Sequence, residues 1–77
     1  MKEYVKITAD FEIDGTIIPT KLHWNEDKIY SIDRILDIRK AASLKSGGCG
    51  LRYTVRIHGH ERYLFLEEDK WFIEKRY

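Results

Sequence analysis

Apolar and polar side chains alternate along much of this chain. In "VKITADFEI" Val5, Ile7, Ala9, Phe11 and Ile13 fall on one side, and Lys6, Thr8, Asp10 and Glu12 on the other. That period of two belongs to a strand with one face buried. Asp14-Gly15 interrupts the run, and "TIIPTKLHW" resumes it with Ile18, Thr20, Leu22 and Trp24 on one side. Asp-Gly between two alternating segments signals a hairpin. Pro19 has no N–H to give to a ladder, so the second strand is expected at an edge or with a bulge at that point. "NED" at 25–27 marks the next turn.

The stretch "KIYSIDRILDIRKAASLK" supports two readings. As a strand running to about residue 39, Tyr30, Ile32, Leu36 and Ile38 share a face that Arg34 interrupts. As a helix near 31–45, Ser31 caps it, Ile32, Ile35 and Leu36 form a stripe, and Gly47 ends it. The helix leaves Ile38 and Leu44 off its stripe and has a high β-branched content, so the strand is preferred, with "AASLK" able to form a helical turn. In "LRYTVRIH" Leu51, Tyr53, Val55 and Ile57 lie on one face, with Arg52, Thr54, Arg56 and His58 on the other. "GHE" turns the chain into "RYLFLEE", apolar on both faces around Leu64, Phe65 and Leu66, as in a central, well-covered strand. "WFIEKRY" supplies the last strand.

The expected fold is therefore all-β, a single domain over 1–77: an antiparallel meander of five to six strands curled into a small SH3-like barrel, which hides its edges. An α+β arrangement with a helix near 31–45 is the alternative.

With 77 residues the chain has room for one core, and small domains bury only about 60–65% of their unfolded surface. Two Trp, five Tyr and three Phe supply much of the buried area. The single Cys cannot form an internal disulfide. No apolar run approaches membrane length and the start has no apolar signal core, so no membrane role and a cytoplasmic location are expected. The net charge of +1 conceals an uneven distribution: residues 1–38 carry five Lys/Arg against eight Asp/Glu, whereas 39–62 carry six against one.

"SLKSGGCGLRY" concentrates glycines and one cysteine between basic residues. A phosphate loop needs Lys and Ser/Thr directly after its last Gly, yet Leu51 and Arg52 follow Gly50. A dinucleotide fingerprint needs a third Gly where Tyr53 stands. A looser anion nest with Lys45 and Arg52 survives, beside the plainer role of glycine in letting two strands meet. Basic neighbours would lower the pKa of the Cys49 thiol, but nothing fixes His58 or His60 as its base. "HGH" at 58–60, even joined by His23 or Cys49, lacks the ordered ligand set of tetrahedral zinc. The carboxylates at Glu26/Asp27 and Glu67/Glu68/Asp69 sit in turn-like settings. No catalytic residue, metal or cofactor is assigned, and an enzyme is not expected.

The outward set Arg52, Arg56 and His58 is the most informative feature. Alternate strand residues project the same way about 6.5–7 Å apart, and arginine forks onto phosphate oxygens. Arg39, Lys40, Lys45 and Arg62 would widen this field if neighbouring strands pair in order. Tyr30, Tyr53, Tyr63 and Trp71 are available for stacking, although Tyr53 falls on the core side. A charged groove with stacking aromatics is how small β domains bind single strands. The competing reading is a solvated face whose arginines pair with Glu12, Asp33, Asp37 or Glu68, each pair worth about 0.2–1 kcal/mol. The expected function is a small binding module contacting nucleic-acid phosphates through a basic strand face. The alternative is a protein-interaction or accessory module with no nucleic-acid role.

Several cues recur together: W-x-x-D at Trp24 and Asp27, Y-x-I-D at Tyr30 to Asp33, L-D-x-R at Leu36 to Arg39, A-A-S at 41–43, G-G-x-G-x-R-Y at 47–53, and Trp71-Phe72. With these the chain resembles a group of short bacterial proteins of unknown function, over about three-quarters of its length. The resemblance implies a small all-β domain and brings no activity or site residues with it.

Overall fold

The computed structural model describes residues 2–40 and 50–74. These form eight strands: β1 (Lys2–Tyr4), β2 (Lys6–Phe11), β3 (Ile17–His23), β4 (Ile29–Ser31), β5 (Arg34–Lys40), β6 (Leu51–Ile57), β7 (His60–Glu67) and β8 (Lys70–Glu74). All pairings are antiparallel. They build a five-stranded sheet of order β1-β8-β7-β6-β5 and a three-stranded sheet of order β2-β3-β4. The all-β expectation holds, but the pairings among the described residues make two sheets and not one closed barrel. No helix among these residues is long and apolar enough to cross a membrane.

The excess of strands over the expected five to six has a simple origin. The chain passes from one sheet to the other twice, at Val5 and at Ile32–Asp33, and each crossing divides one extended run into two strands. Backbone hydrogen bonds keep both crossings paired: Val5 N–H donates to the Trp71 carbonyl (3.0 Å), Ile32 N–H to Thr20 (2.9 Å) and Asp33 N–H to Arg56 (2.8 Å). The helix reading of 31–45 is overturned for residues 31–40, which lie in β4, the crossing and β5. The remainder of that segment lies outside the described residues.

The core lies between the sheets. Leu22 of the small sheet meets Tyr53, Val55 and Leu64 of the large one, with Ile7, Tyr30, Ile35, Leu51, Leu66, Trp71 and Ile73 packed around them. Tyr53 and Val55 are fully buried, as the alternation in "LRYTVRIH" requires. The Tyr53 hydroxyl donates to the Ile17 carbonyl at 2.6 Å and so crosses from one sheet to the other.

Two bulges change which residues face this core. Thr8 pairs with Lys21 but Ala9 pairs with Pro19, so Thr20 is the extra residue of β3. Ile17, Pro19 and Leu22 consequently share the inward side, in place of the expected Ile18, Thr20, Leu22 and Trp24; Trp24 is 41% exposed. Pro19 thus sits beside a bulge in the middle strand of its sheet, beyond the last β4 pair at Lys21–Ser31. In β5, Ile35 pairs with Val55 and Asp37 with Thr54, leaving Leu36 unmatched. Ile35 packs on the core there, Ile38 lies opposite Tyr53 but stays exposed, and Leu36 is moved off the core side.

Two turns follow their sequence signals, and a third falls one residue ahead of the expected "GHE", with His60 and Glu61 already in β7. Gly15 adopts φ +92° in the β2–β3 turn, where the Asp14 carboxylate accepts from the Thr16 N–H (2.9 Å). The Asn25 side-chain oxygen accepts from the N–H groups of Asp27 and Lys28. His58 and Gly59, both with positive φ, form the two-residue connection between β6 and β7.

Candidate nucleic-acid interface

In an antiparallel ladder, directly paired residues project from the same face. Tyr53, Val55 and Leu64 turn toward the small sheet, so Arg52, Thr54 and Arg56 turn away from it. Their partners define the outer face of the five-stranded sheet. Arg52 pairs with Arg39 on one side and Phe65 on the other, Thr54 with Asp37 and Tyr63, and Arg56 with Arg34 and Glu61. Phe65 pairs with Phe72, which pairs with Tyr4.

This face has a cationic half and an aromatic half. On the cationic half, two like-charged pairs stand directly opposite one another across β5 and β6: Arg39–Arg52 and Arg34–Arg56. Such pairs are destabilising, by amounts comparable to the 0.2–1 kcal/mol or so that favourable pairs contribute. Nearby carboxylates offset part of this. Arg39 Nε meets Asp37 Oδ2 at 2.6 Å, and Arg56 meets Glu61 at 3.8 Å. Both pairs are largely exposed and leave donors of each guanidinium facing water. Arg52 has no carboxylate partner among the described residues. Its guanidinium carbon lies 4.6 Å from the centroid of the Tyr63 ring, and its Nε is buried with no hydrogen-bond acceptor among the described residues.

On the aromatic half, Phe65 and Phe72 stack at 5.1 Å with planes 7° apart, and the Tyr4 edge meets Phe72 at 5.8 Å. Both phenylalanines are buried although they point away from the intersheet core. Lys2 Nζ sits 4.6 Å from the Phe72 centroid and 3.5 Å from Glu67 Oε1, so its chain straps the ring from above. Tyr63 (49%) and Tyr4 (59%) remain exposed beside this buried pair. The two-sided apolar pattern of "RYLFLEE" is explained here, because β7 is the middle strand of its sheet.

The structure gathers only part of the expected basic set. Arg39, Arg52 and Arg56 share the outer face. Lys40 pairs with Leu51 and Arg62 with Val55, which puts both on the opposite face at its margins. His58 also leaves the set: at φ +51° it ends the alternation, and its ring meets the Tyr30 ring edge-on at 5.2 Å. Lys45 lies outside the described residues, as does Cys49. Tyr53 and Trp71 pack against each other on the core side (5.2 Å) and present no stacking surface outward. Arg34 was missed by sequence reasoning. It read as a blemish on an apolar face, because neither the sheet crossing at Ile32–Asp33 nor the Leu36 bulge announces itself in the residue pattern.

Gly50 enters this site through lack of a side chain. A Cβ there would overlap Glu67 Cγ and lie 3.0 Å from the Leu66 carbonyl oxygen. Its absence lets the start of β6 lie close to Glu67, the residue that holds Lys2 over Phe72. Among the described residues no three His, Cys, Asp or Glu side chains converge as metal ligands would. Comparison with protein-family models, curated proteins and solved structures gave no match to the chain.

Proposed function

We propose that this chain is a small β binding module whose outer sheet face takes the phosphates of a nucleic acid. The observation that carries the reading is the ladder register that sets Arg39 opposite Arg52 and Arg34 opposite Arg56. A sheet that places arginines opposite arginines gives up stability at both positions, and local violations of this sort are expected where a surface serves a ligand. A phosphate between two such arginines replaces repulsion with charge-assisted, forked hydrogen bonds. Along β6 the two pairs stand about 13 Å apart, four residues of strand, so a polyanion suits them better than a single small anion. A barrel-like closure is part of this proposal. It is supported by β1 running on into β2 and β4 into β5, which lets each extended run serve both sheets.

The test is fluorescence anisotropy of a labelled 15-nucleotide single strand at low salt. Saturable binding that Arg52→Gln weakens supports the reading, and absence of binding ends it.

A second reading, a protein-interaction module with no nucleic-acid role, is favoured by a different feature. Phe11 (77%) and Ile13 (108%) stand exposed near the tip of the β2–β3 hairpin. Two large apolar side chains at one tip suit contact with another protein. Concentration-dependent mass in light scattering, removed by Phe11→Ser with Ile13→Ser, would favour it.

A further inference from the structure

We infer that the nucleic acid taken by this face is single-stranded and that a base stacks on Tyr63, an inference that rests on the phosphate-binding reading above. Tyr63 lies on the central strand of the sheet, beside Phe65 on the same face, yet half of it is exposed. It contributes little to either buried cluster. Its ring is instead held by a cation: the Arg52 guanidinium lies 4.6 Å from its centroid. An arginine and an aromatic ring in this relation make a flat, desolvated surface next to a phosphate ligand. Every base has a π face, so such a surface accepts any of them, with losses of about 5- to 150-fold in affinity when the ring is removed.

Tyr4 repeats the arrangement at the other side of the sheet. It is 59% exposed, and Lys70 Nζ lies 5.9 Å from its ring centroid. Tyr4 and Tyr63 are separated by two interstrand steps and one alternate position, about 12 Å between backbones. Bases that reach both rings cannot be stacked on one another, so the strand that supplies them is open. A duplex keeps its base faces inside its own stack and offers this sheet only phosphates.

Three fluorescent probes of equal length separate the possibilities at low salt: a 12-nucleotide oligothymidine, the same backbone carrying abasic sites throughout, and a 12-base-pair duplex. The inference predicts that oligothymidine binds at least 5-fold tighter than the abasic strand and the duplex. It also predicts that Tyr63→Ala removes this advantage while Tyr63→Phe retains it, thermal melting confirming that both variants fold. Equal binding of oligothymidine and abasic strand, unchanged by Tyr63→Ala, overturns base stacking and leaves the phosphate reading standing. Tighter binding of the duplex likewise overturns it. If none of the probes binds, the phosphate reading itself fails.

Discussion

The hydroxyl of Tyr53 and the carbonyl of Ile17, thirty-six residues apart and in different sheets, are joined by a 2.6 Å hydrogen bond. Tyr53 is fully buried in the five-stranded sheet, and β3 reaches over it from the small sheet. Tyr53→Phe keeps the ring and removes the donor, so stability should fall by about 0.5–1.5 kcal/mol. Burial also raises the pKa of this phenol above its usual 10.0. A raised pKa means that the folded state holds the proton more tightly than the unfolded one. Its contribution is therefore complete below pH 10 or so and is lost as pH rises through the folded-state value. Urea midpoints measured from pH 8 to 11.5 should decline more steeply in the parent than in Tyr53→Phe. Parallel declines would count against the assignment.

Phe72 is 1% exposed on the face opposite the main core, held by Phe65, Tyr4 and Lys2. Truncation of a buried phenylalanine to alanine costs about 3–5 kcal/mol. A domain of this size has a total stability of roughly 4–12 kcal/mol at 0.05–0.15 kcal/mol per residue. Phe72→Ala should therefore remove roughly a quarter or more of that stability, with Phe72→Leu in between. A loss below 1 kcal/mol in denaturant would show that the outer aromatic cluster does not hold the sheet.

Gly50→Ala forces a Cβ against Glu67 Cγ and the Leu66 carbonyl. Overpacking of this kind costs about 1–3 kcal/mol. The displaced Glu67 should also release Lys2 from its strap over Phe72, so Lys2→Met should blunt the effect of Gly50→Ala in a double-mutant cycle of thermal melts.

The β7–β8 connection is a two-residue turn in which Glu68 (φ 51°) and Asp69 (φ 66°) both adopt left-handed backbone. Asn-Gly is the favoured pair for this geometry, and each ordinary residue held there gives up about 1 kcal/mol. Replacing Glu68-Asp69 by Asn-Gly should raise stability by about 1 kcal/mol, read from the denaturation midpoint. No gain would mean that the acidic turn makes a compensating contact.

Alternation made the interior of this fold legible. Tyr53 and Val55 were placed correctly because β6 runs unbroken from Leu51 to Ile57, whereas the two-sided pattern around Leu64 left its face open. It failed where parity resets. The Thr20 bulge moved Pro19 inward, the Leu36 bulge moved Ile35 inward, the crossing at Ile32–Asp33 divided a run that read as one strand, and β1, ahead of Val5, went unread. The candidate site inherits both behaviours. Arg52 and Arg56 were legible as outward neighbours on one strand. Arg34 was not, because its position opposite Arg56 depends on the bulge. Arg62 and Lys40 pointed elsewhere for a reason that a charge count cannot register: a basic residue's neighbours in sequence lie on opposite faces of a strand. Phe65 and Phe72 were readable as apolar, but their alliance with Tyr4 required the pairing of β1 with β8, the first described strand with the last.

The most direct test of the basic face is the salt dependence of single-strand binding. Each phosphate neutralised contributes about 0.7 to the slope of log affinity against log salt concentration. Four arginines in contact predict a slope near −3 by that measure. Arg34→Gln combined with Arg56→Gln should bring it to about half, with folding unimpaired. A slope that is unchanged in the double variant, or near zero in the parent chain, would contradict the account.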